Sequence, residues 1–339
     1  MTLKTVFAAT LISGLASAAA AQEVTLRVHH FMSGKATLHT RFLEPWAERL
    51  ETESDGRIAV ELFDSMSLGG RPGDLYDQAV DGAVDVILTL PGYTAGRFNQ
   101  TEVFELPFIM EDNVATTGAF WDLIESDLQD GEYEDVKVLA GWLHGPGVVH
   151  GEEPIESLED MAGRDTRGPT RLATDLLDEL GANPVGMPLP AIPESLSKGV
   201  INATLLPWEI TPSIRLAELI HNHTELSGDK ALYGATLLLA MNWDSYEAMP
   251  DDLRAILDAE TGKALSQEAA EIMKIADGEG RQIAMDAGNS FVLLDEAEVA
   301  RWEAAAQPVY DRFIARAEDE GFDGAALIEK AQALIEANQ

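Results

Sequence analysis

The sequence predicts an α/β chain of two lobes, each a mainly parallel sheet flanked by helices. Short apolar runs rich in β-formers alternate with amphipathic helical stretches, the pattern of βαβ units. The alternation occurs twice, before and after Pro154, in 339 residues, enough for two domains of ~100–200 residues. No low-complexity linker or fixed-period repeat separates the two series, which implies several crossings between lobes.

The first series begins with a strand, Val24 to Phe31, whose residues alternate. Ala36 to Ser54 has helical periodicity and stops at Asp55-Gly56. Arg57 to Phe63 is a second strand, and Gly69-Gly70 turns the chain into a helix from about Pro72 to Gly82. Val84 to Leu90 reads as a strand buried on both faces, broken by Pro91-Gly92. An apolar loop (Val103 to Met110), a helix (Val114 to Leu128) and a buried strand (Val136 to Trp142) follow. From Gly163 to Glu209 the chain reads strand, helix, strand, helix, strand, with helices near 171–180 and 190–198. Ala235 to Asn242 is an apolar strand returning to the first sheet. Pro250 to Ala287 is expected as one long amphipathic helix, able to span both lobes at ~1.5 Å per residue. Asp295 to Glu320 and Gly324 to Asn338 give two more helices.

The first residues carry Lys4, an apolar stretch from Thr5 to Ser17 and small residues at Ala18 to Ala21. These are the parts of a secretory leader, expected over residues 1–21; the apolar run is too short for a membrane span. With no cysteine, the chain can form neither disulfides nor a lipid attachment. Its net charge of −36 excludes nucleic acid and anionic membranes as partners, because both need a basic footprint. The same charge fits a saline medium, which shortens repulsion of an anionic ligand. No cysteine nucleophile, G-x-S-x-G elbow, H-E-x-x-H or phosphate loop is present.

Open α/β sheets bind ligands at the carboxyl ends of their strands. Arg167 stands at such an end, followed by Gly168-Pro169-Thr170 and a helix N-terminus that attracts anions. Its planar, permanently charged fork suits a carboxylate. The other reading is an ion-paired arginine, with Asp165 two residues back. Arg164 and Arg171 read as solvated. Trp208 and Glu209 follow another strand: the indole either walls a ligand or packs in the core. The carboxyl accepts a ligand hydroxyl, helps hold a cation, or serves a helix N-terminus. His30 and Phe31 end the first strand, where adjacent side chains take opposite faces. Trp142 and His144, Tyr93 beyond the Pro91-Gly92 break, and Leu206 complete the candidate ligand residues. His221-x-His223 has the spacing of a metal pair without a third ligand and reads as structural. No catalytic or metal residues are assigned.

These residues resemble the solute-binding proteins of TRAP transporters, the DctP family, over nearly the whole chain. The similarity rests on Thr166-Arg167-Gly168-Pro169, then Gly181-Ala182-Asn183-Pro184-Val185-Gly186-Met187-Pro188, then Gly199-Val200-Ile201-Asn202-Ala203. Ser67-Leu68-Gly69-Gly70 and the Trp243 segment support it. The resemblance implies a periplasmic, two-lobed binding protein of the Venus-flytrap type with a long helix across both lobes. Residues 22–145 and 232–268 would form lobe I, 146–231 and 269–325 lobe II, and 326–339 a C-terminal helix. It implies that Arg167 is the carboxylate-binding arginine and that the partners are a small organic acid and the small and large membrane subunits of a permease. Many relatives carry a second arginine about twenty residues earlier; that position is Gly147, which disfavours a dicarboxylate. Asn202-Ala203 stand where Asp-Gly is usual. The Trp208-Glu209 pair resembles relatives that hold aromatic or 2-oxo acids, in some cases with a cation, so a cation near Glu209 is the one cofactor to consider. The expected function is reception of an organic monocarboxylate, aromatic or 2-oxo/2-hydroxy. A C4-dicarboxylate or sugar-acid receptor, a sensor partner and a periplasmic enzyme acting on a carboxylic acid are the alternatives.

Overall fold

The structure, a computed structural model, describes residues 22–339, so the expected leader lies outside the described residues. Eleven strands form two sheets among these residues. The first contains β1 (Val24–His30), β2 (Ile58–Phe63), β3 (Val86–Thr89) and β4 (Val136–Leu143). The second contains β5 (Val148–Gly151), β6 (Asp165–Gly168), β7 (Asn183–Gly186), β8 (Ala203–Leu206) and β9 (Asn222–Leu226). Strand β10 (Thr236–Asn242) returns to the first sheet and β11 (Ser290–Leu294) to the second. The orders are β2-β1-β3-β10-β4 and β11-β9-β5-β8-β6-β7.

Each sheet contains a single strand that runs against all the others. In the first it is β10, antiparallel to β3 and β4; in the second it is β5, antiparallel to β8 and β9. Both are the strands by which the chain arrives from the other lobe. The chain leaves β4 through Gly145-Pro146-Gly147 into β5 and comes back from β9 into β10. A direct crossing without a helix enters the new sheet reversed, whereas the βα units within a lobe keep their strands parallel.

The helix expected from Pro250 to Ala287 is two helices, Asp251–Ala259 and Lys263–Asp286. The break falls at Gly262, whose φ of 91° is open to glycine. Its N–H donates to Leu139 O at 2.7 Å, tying the break to β4. The second of these helices does cross both lobes. Gly141 N–H donates to Ser266 Oγ at 3.0 Å near its start, and Arg281 pairs with Glu225 of β9 near its end. Gly280 allows this helix to lie on the second lobe, since a Cβ there would sit 2.2 Å from Trp208 O. The helix Gly324–Ala337 ends against the first lobe, where Asn338 Nδ2 donates to Asp122 at 2.9 Å.

Strands β5, β9 and β11 and the helix Trp243–Glu247 carry no clear sequence signal. Strand β5 is four residues buried throughout. Strands β9 and β11 hold polar or exposed positions without clean alternation.

Candidate functional site

The carboxyl ends of β1, β3 and β4 face the ends of β6 and β8 across the junction of the lobes. Each strand hands over one residue there. Phe31 follows β1, Tyr93 lies in the Pro91–Tyr93 turn after β3, and His144 follows β4. Arg167 is the third residue of β6, Leu206 the last of β8, and Glu209 the second residue of the turn Trp208–Ile214. These six line one narrow cavity of about 40 Å3, closed further by Met32, Leu90, Pro169, Leu189, Tyr233 and Met273.

Arg167 is 1% exposed, and among the described residues it forms no ion pair with any carboxylate. Asp165 is engaged elsewhere, accepting from Asn183 Nδ2 at 3.1 Å. The Arg167 guanidinium is held by backbone carbonyls instead: Nε donates to Met187 O and Nη1 to Leu205 O, both at 2.9 Å. Five N–H groups are available on guanidinium, so three remain unspent by these two bonds. Burial pulls its pKa down, yet an arginine remains charged at neutral pH. The cavity wall therefore holds one buried positive charge that no carboxylate of the described residues pairs with.

Its surroundings are neutral. Burial lowers His144 to about 4, and the Arg167 charge acts in the same direction. Burial raises the Tyr93 and Tyr233 hydroxyls, with Arg167 drawing both partly back. Tyr93 Oη accepts the Leu189 N–H at 3.0 Å, a bond between the lobes, and Phe31 packs edge-on against Tyr93 at 5.2 Å. The Glu209 carboxyl is raised well above the usual range by burial and then by the charge of Asp277. Asp277 is itself pushed up to about 7 by burial, while its Oδ1 accepts the Glu209 N–H at 2.8 Å. Glu209 Oε2 has no hydrogen-bond partner among the described residues.

Three expected residues lie outside the cavity. His30 takes the face opposite Phe31, and its Nε2 meets His39 Nδ1 at 2.9 Å. Trp142 shares a strand face with His144 but lies two residues deeper, packed against Phe42 at 5.1 Å. Trp208 turns away from Glu209; its Nε1 donates to Glu225 at 2.8 Å and its ring packs among His150, His223 and Phe291. His223 is joined to His150, Nδ1 to Nδ1 at 2.8 Å, as a structural pair. Arg171, expected to be solvated, instead pairs with Glu102 at 2.7 Å and Asn99 at 2.6 Å across the lobes. Among the described residues no three His, Cys, Asp or Glu side chains converge as metal ligands would.

Tyr233, Met32, Leu90, Pro169, Leu189 and Met273 were not anticipated as site residues. Pro169 had a signal, since it follows Arg167 directly. Tyr233 had none, because it comes from the crossing between β9 and β10. Tyr93 and Pro169 also line an open groove with Arg71, Asp74 and Arg171, so they stand between the cavity and solvent.

Two α/β lobes closing on a buried cation that no carboxylate of the described residues pairs with define a receptor for a small anionic solute. The sequence comparisons give its family: residues 28–317 match bacterial extracellular solute-binding protein family 7, DctP, and the chain belongs to it. It is similar to a TRAP solute-binding protein from Rhodoferax ferrireducens T118 in complex with copurified benzoate. That protein is 43% identical, with a TM-score of 0.91 over 93% of this chain and 98% of the other. A marine metagenome TRAP solute-binding protein specific for aromatic acid ligands, in complex with 3-hydroxybenzoate, is 40% identical. Its TM-score is 0.92 over 94% and 99% of the two chains. One from Bordetella bronchiseptica with bound (R)- and (S)-mandelate is 26% identical, with a TM-score of 0.84 over 93% and 99%. The chain is thus an extracytoplasmic solute receptor of the TRAP type. Among the described residues no helix is long and apolar enough to cross a membrane.

Proposed function

We propose that the solute is an aromatic monocarboxylate, a benzoate-like acid with or without a ring hydroxyl. It would be taken up in the periplasm and handed to a two-subunit membrane permease without chemical change. The observation that carries this is Arg167, a buried guanidinium with unspent donors and no carboxylate partner among the described residues. The acid's carboxylate meets Arg167, and its ring lies among Phe31, Leu90, Leu189, Leu206 and Met273. A single positive charge suits one carboxylate, and the apolar lining suits a ring better than a polyhydroxylated sugar acid. The aromatic acids in the related structures support the same class.

Glu209 lines the same cavity as Arg167 without pairing with it. As a neutral acid it hydrogen-bonds a hydroxyl, which favours 3-hydroxybenzoate over benzoate. Protonation, rather than a bound cation, then compensates the Glu209–Asp277 pair. Isothermal titration with benzoate, 3-hydroxybenzoate, succinate and glucuronate, with calcium or with EDTA, tests the reading. Tight binding of the first two, recovered unaltered from the protein, is expected. Preference for succinate or turnover of the bound acid would overturn it.

A further inference from the structure

Tyr233 is 1% exposed, belongs to the cavity wall, and its hydroxyl has no hydrogen-bond partner among the described residues. A buried hydroxyl in that condition is destabilising, so its persistence points to a partner that arrives with the ligand. What converges beside it is donors. Arg167 has N–H groups to spare, and Tyr93 Oη already accepts from Leu189, leaving its proton free. The ring is fixed. It packs edge-on to His144 at 5.2 Å, and its own carbonyl accepts the Gly147 N–H at 3.1 Å.

Gly147 makes room for this ring. A Cβ at position 147 would lie 1.8 Å from Tyr233 Cε1 and 2.1 Å from Cδ1, so any side chain there and the tyrosine exclude each other. The space is therefore filled by a neutral donor. We propose that Tyr233 donates its hydroxyl to the ligand carboxylate beside Arg167, and that the Gly147–Tyr233 pair fixes the site at one positive charge and one carboxylate. This rests on the receptor reading above.

Tyr233→Phe tests it, because the ring is kept and only the unpartnered hydroxyl is removed. Titration of benzoate and 3-hydroxybenzoate should show Kd raised roughly 10-fold or more, by the same factor for both. The ligand-free variant should melt no lower than the parent protein. Unchanged affinity, a loss confined to 3-hydroxybenzoate, or a lower ligand-free melting temperature would each overturn the assignment. If the parent protein binds neither acid, the ligand class fails together with this inference; if it binds both and the variant does too, only the Tyr233 role fails. Gly147→Ala supplies a second route, since the added methyl displaces the ring. Its loss of affinity should shrink in the Tyr233→Phe background, and strict additivity would refute the coupling.

Discussion

Arg167→Met separates binding from folding more cleanly than any other single change here. In the bound state the side chain's unspent N–H groups meet the ligand. Two charge-assisted hydrogen bonds at ~1.5–3 kcal/mol each place the loss at roughly 3–6 kcal/mol. A ligand held at 1 μM, about −8.2 kcal/mol, would weaken by more than ~100-fold. The ligand-free state behaves differently. Arg167 is a buried charge that pairs with no carboxylate among the described residues, and replacing buried charge with an apolar chain of similar length is often neutral or stabilising. Against that, Met187 O and Leu205 O lose their Arg167 donors, at about 1 kcal/mol each. The ligand-free variant should therefore stay close to the parent protein in stability.

Thermal denaturation with and without benzoate reads both effects. Ligand at 1,000 times Kd stabilises the parent protein by about 4.1 kcal/mol, a shift of roughly 8 °C at about 2 °C per kcal/mol. The Met variant should show almost none of that shift while melting near the parent protein without ligand. Arg167→Lys should not restore it, because a point charge cannot reproduce the planar fork. A Met variant that folds normally and keeps the full ligand-induced shift would refute the clamp.

Three further substitutions test other parts of the argument. Glu209→Gln keeps a neutral hydrogen-bonding group and should change 3-hydroxybenzoate affinity by less than ~5-fold, whereas Glu209→Leu should abolish the preference over benzoate; calcium or EDTA altering either titration would instead favour a cation at Glu209. Gly92→Ala should weaken all ligands by hindering closure, since its Cβ would lie 2.4 Å from Thr170 Cγ2. Thr170→Ser, which removes that methyl, should partly restore binding, and closure measured by small-angle scattering in saturating ligand checks this. Glu105 is raised to about 7, chiefly by burial, against an unfolded value of ~4.3. A carboxyl raised in the fold contributes most stability below pH ~4.3 and loses it as pH climbs through 7. Glu105→Gln should therefore gain stability relative to the parent protein between pH 5 and pH 8, by up to ~3 kcal/mol; equal pH slopes in denaturant unfolding would count against it.

Much of the fold was legible because its signals are local. Buried runs such as Val84 to Leu90, stops such as Asp55-Gly56, and the βα series around Arg167 each show within a dozen residues. Arg167 was legible for the same reason: strand, Gly-Pro-Thr and helix start are contiguous. The missed strands β5, β9 and β11 gain their order from neighbours distant in sequence. The break at Gly262 was hidden because its cause, the bond to Leu139, lies on β4. Side-chain direction was the weakest inference. Trp208 and Glu209 are adjacent, yet one joins an aromatic cluster under the second sheet and the other the cavity. Arg171 looked solvated because its partner Glu102 belongs to the other lobe.

The two crossings explain why the missed residues matter. A strand that arrives reversed places the segments flanking it at the ends of strands that run the other way. Gly145-Pro146-Gly147 precedes β5 and Ala231-Leu232-Tyr233 precedes β10, so both meet the carboxyl ends of the parallel strands at the junction of the lobes. Their glycines are needed there: a Cβ at Gly145 would lie 1.7 Å from Asp277 Oδ2, as one at Gly147 would strike Tyr233. The crossings thus serve as connections and also pack directly around the site. The buried charge balance is set at the same place. Arg167 supplies the positive charge from a βα unit, Tyr233 adds a neutral donor from the crossing between β9 and β10, and Asp277 on the crossing helix pushes the Glu209 carboxyl further up. A surface of net charge −36 does not decide this balance. Exposed charges are screened beyond ~8 Å at physiological salt, while Arg167 acts at hydrogen-bond range in a site closed from water.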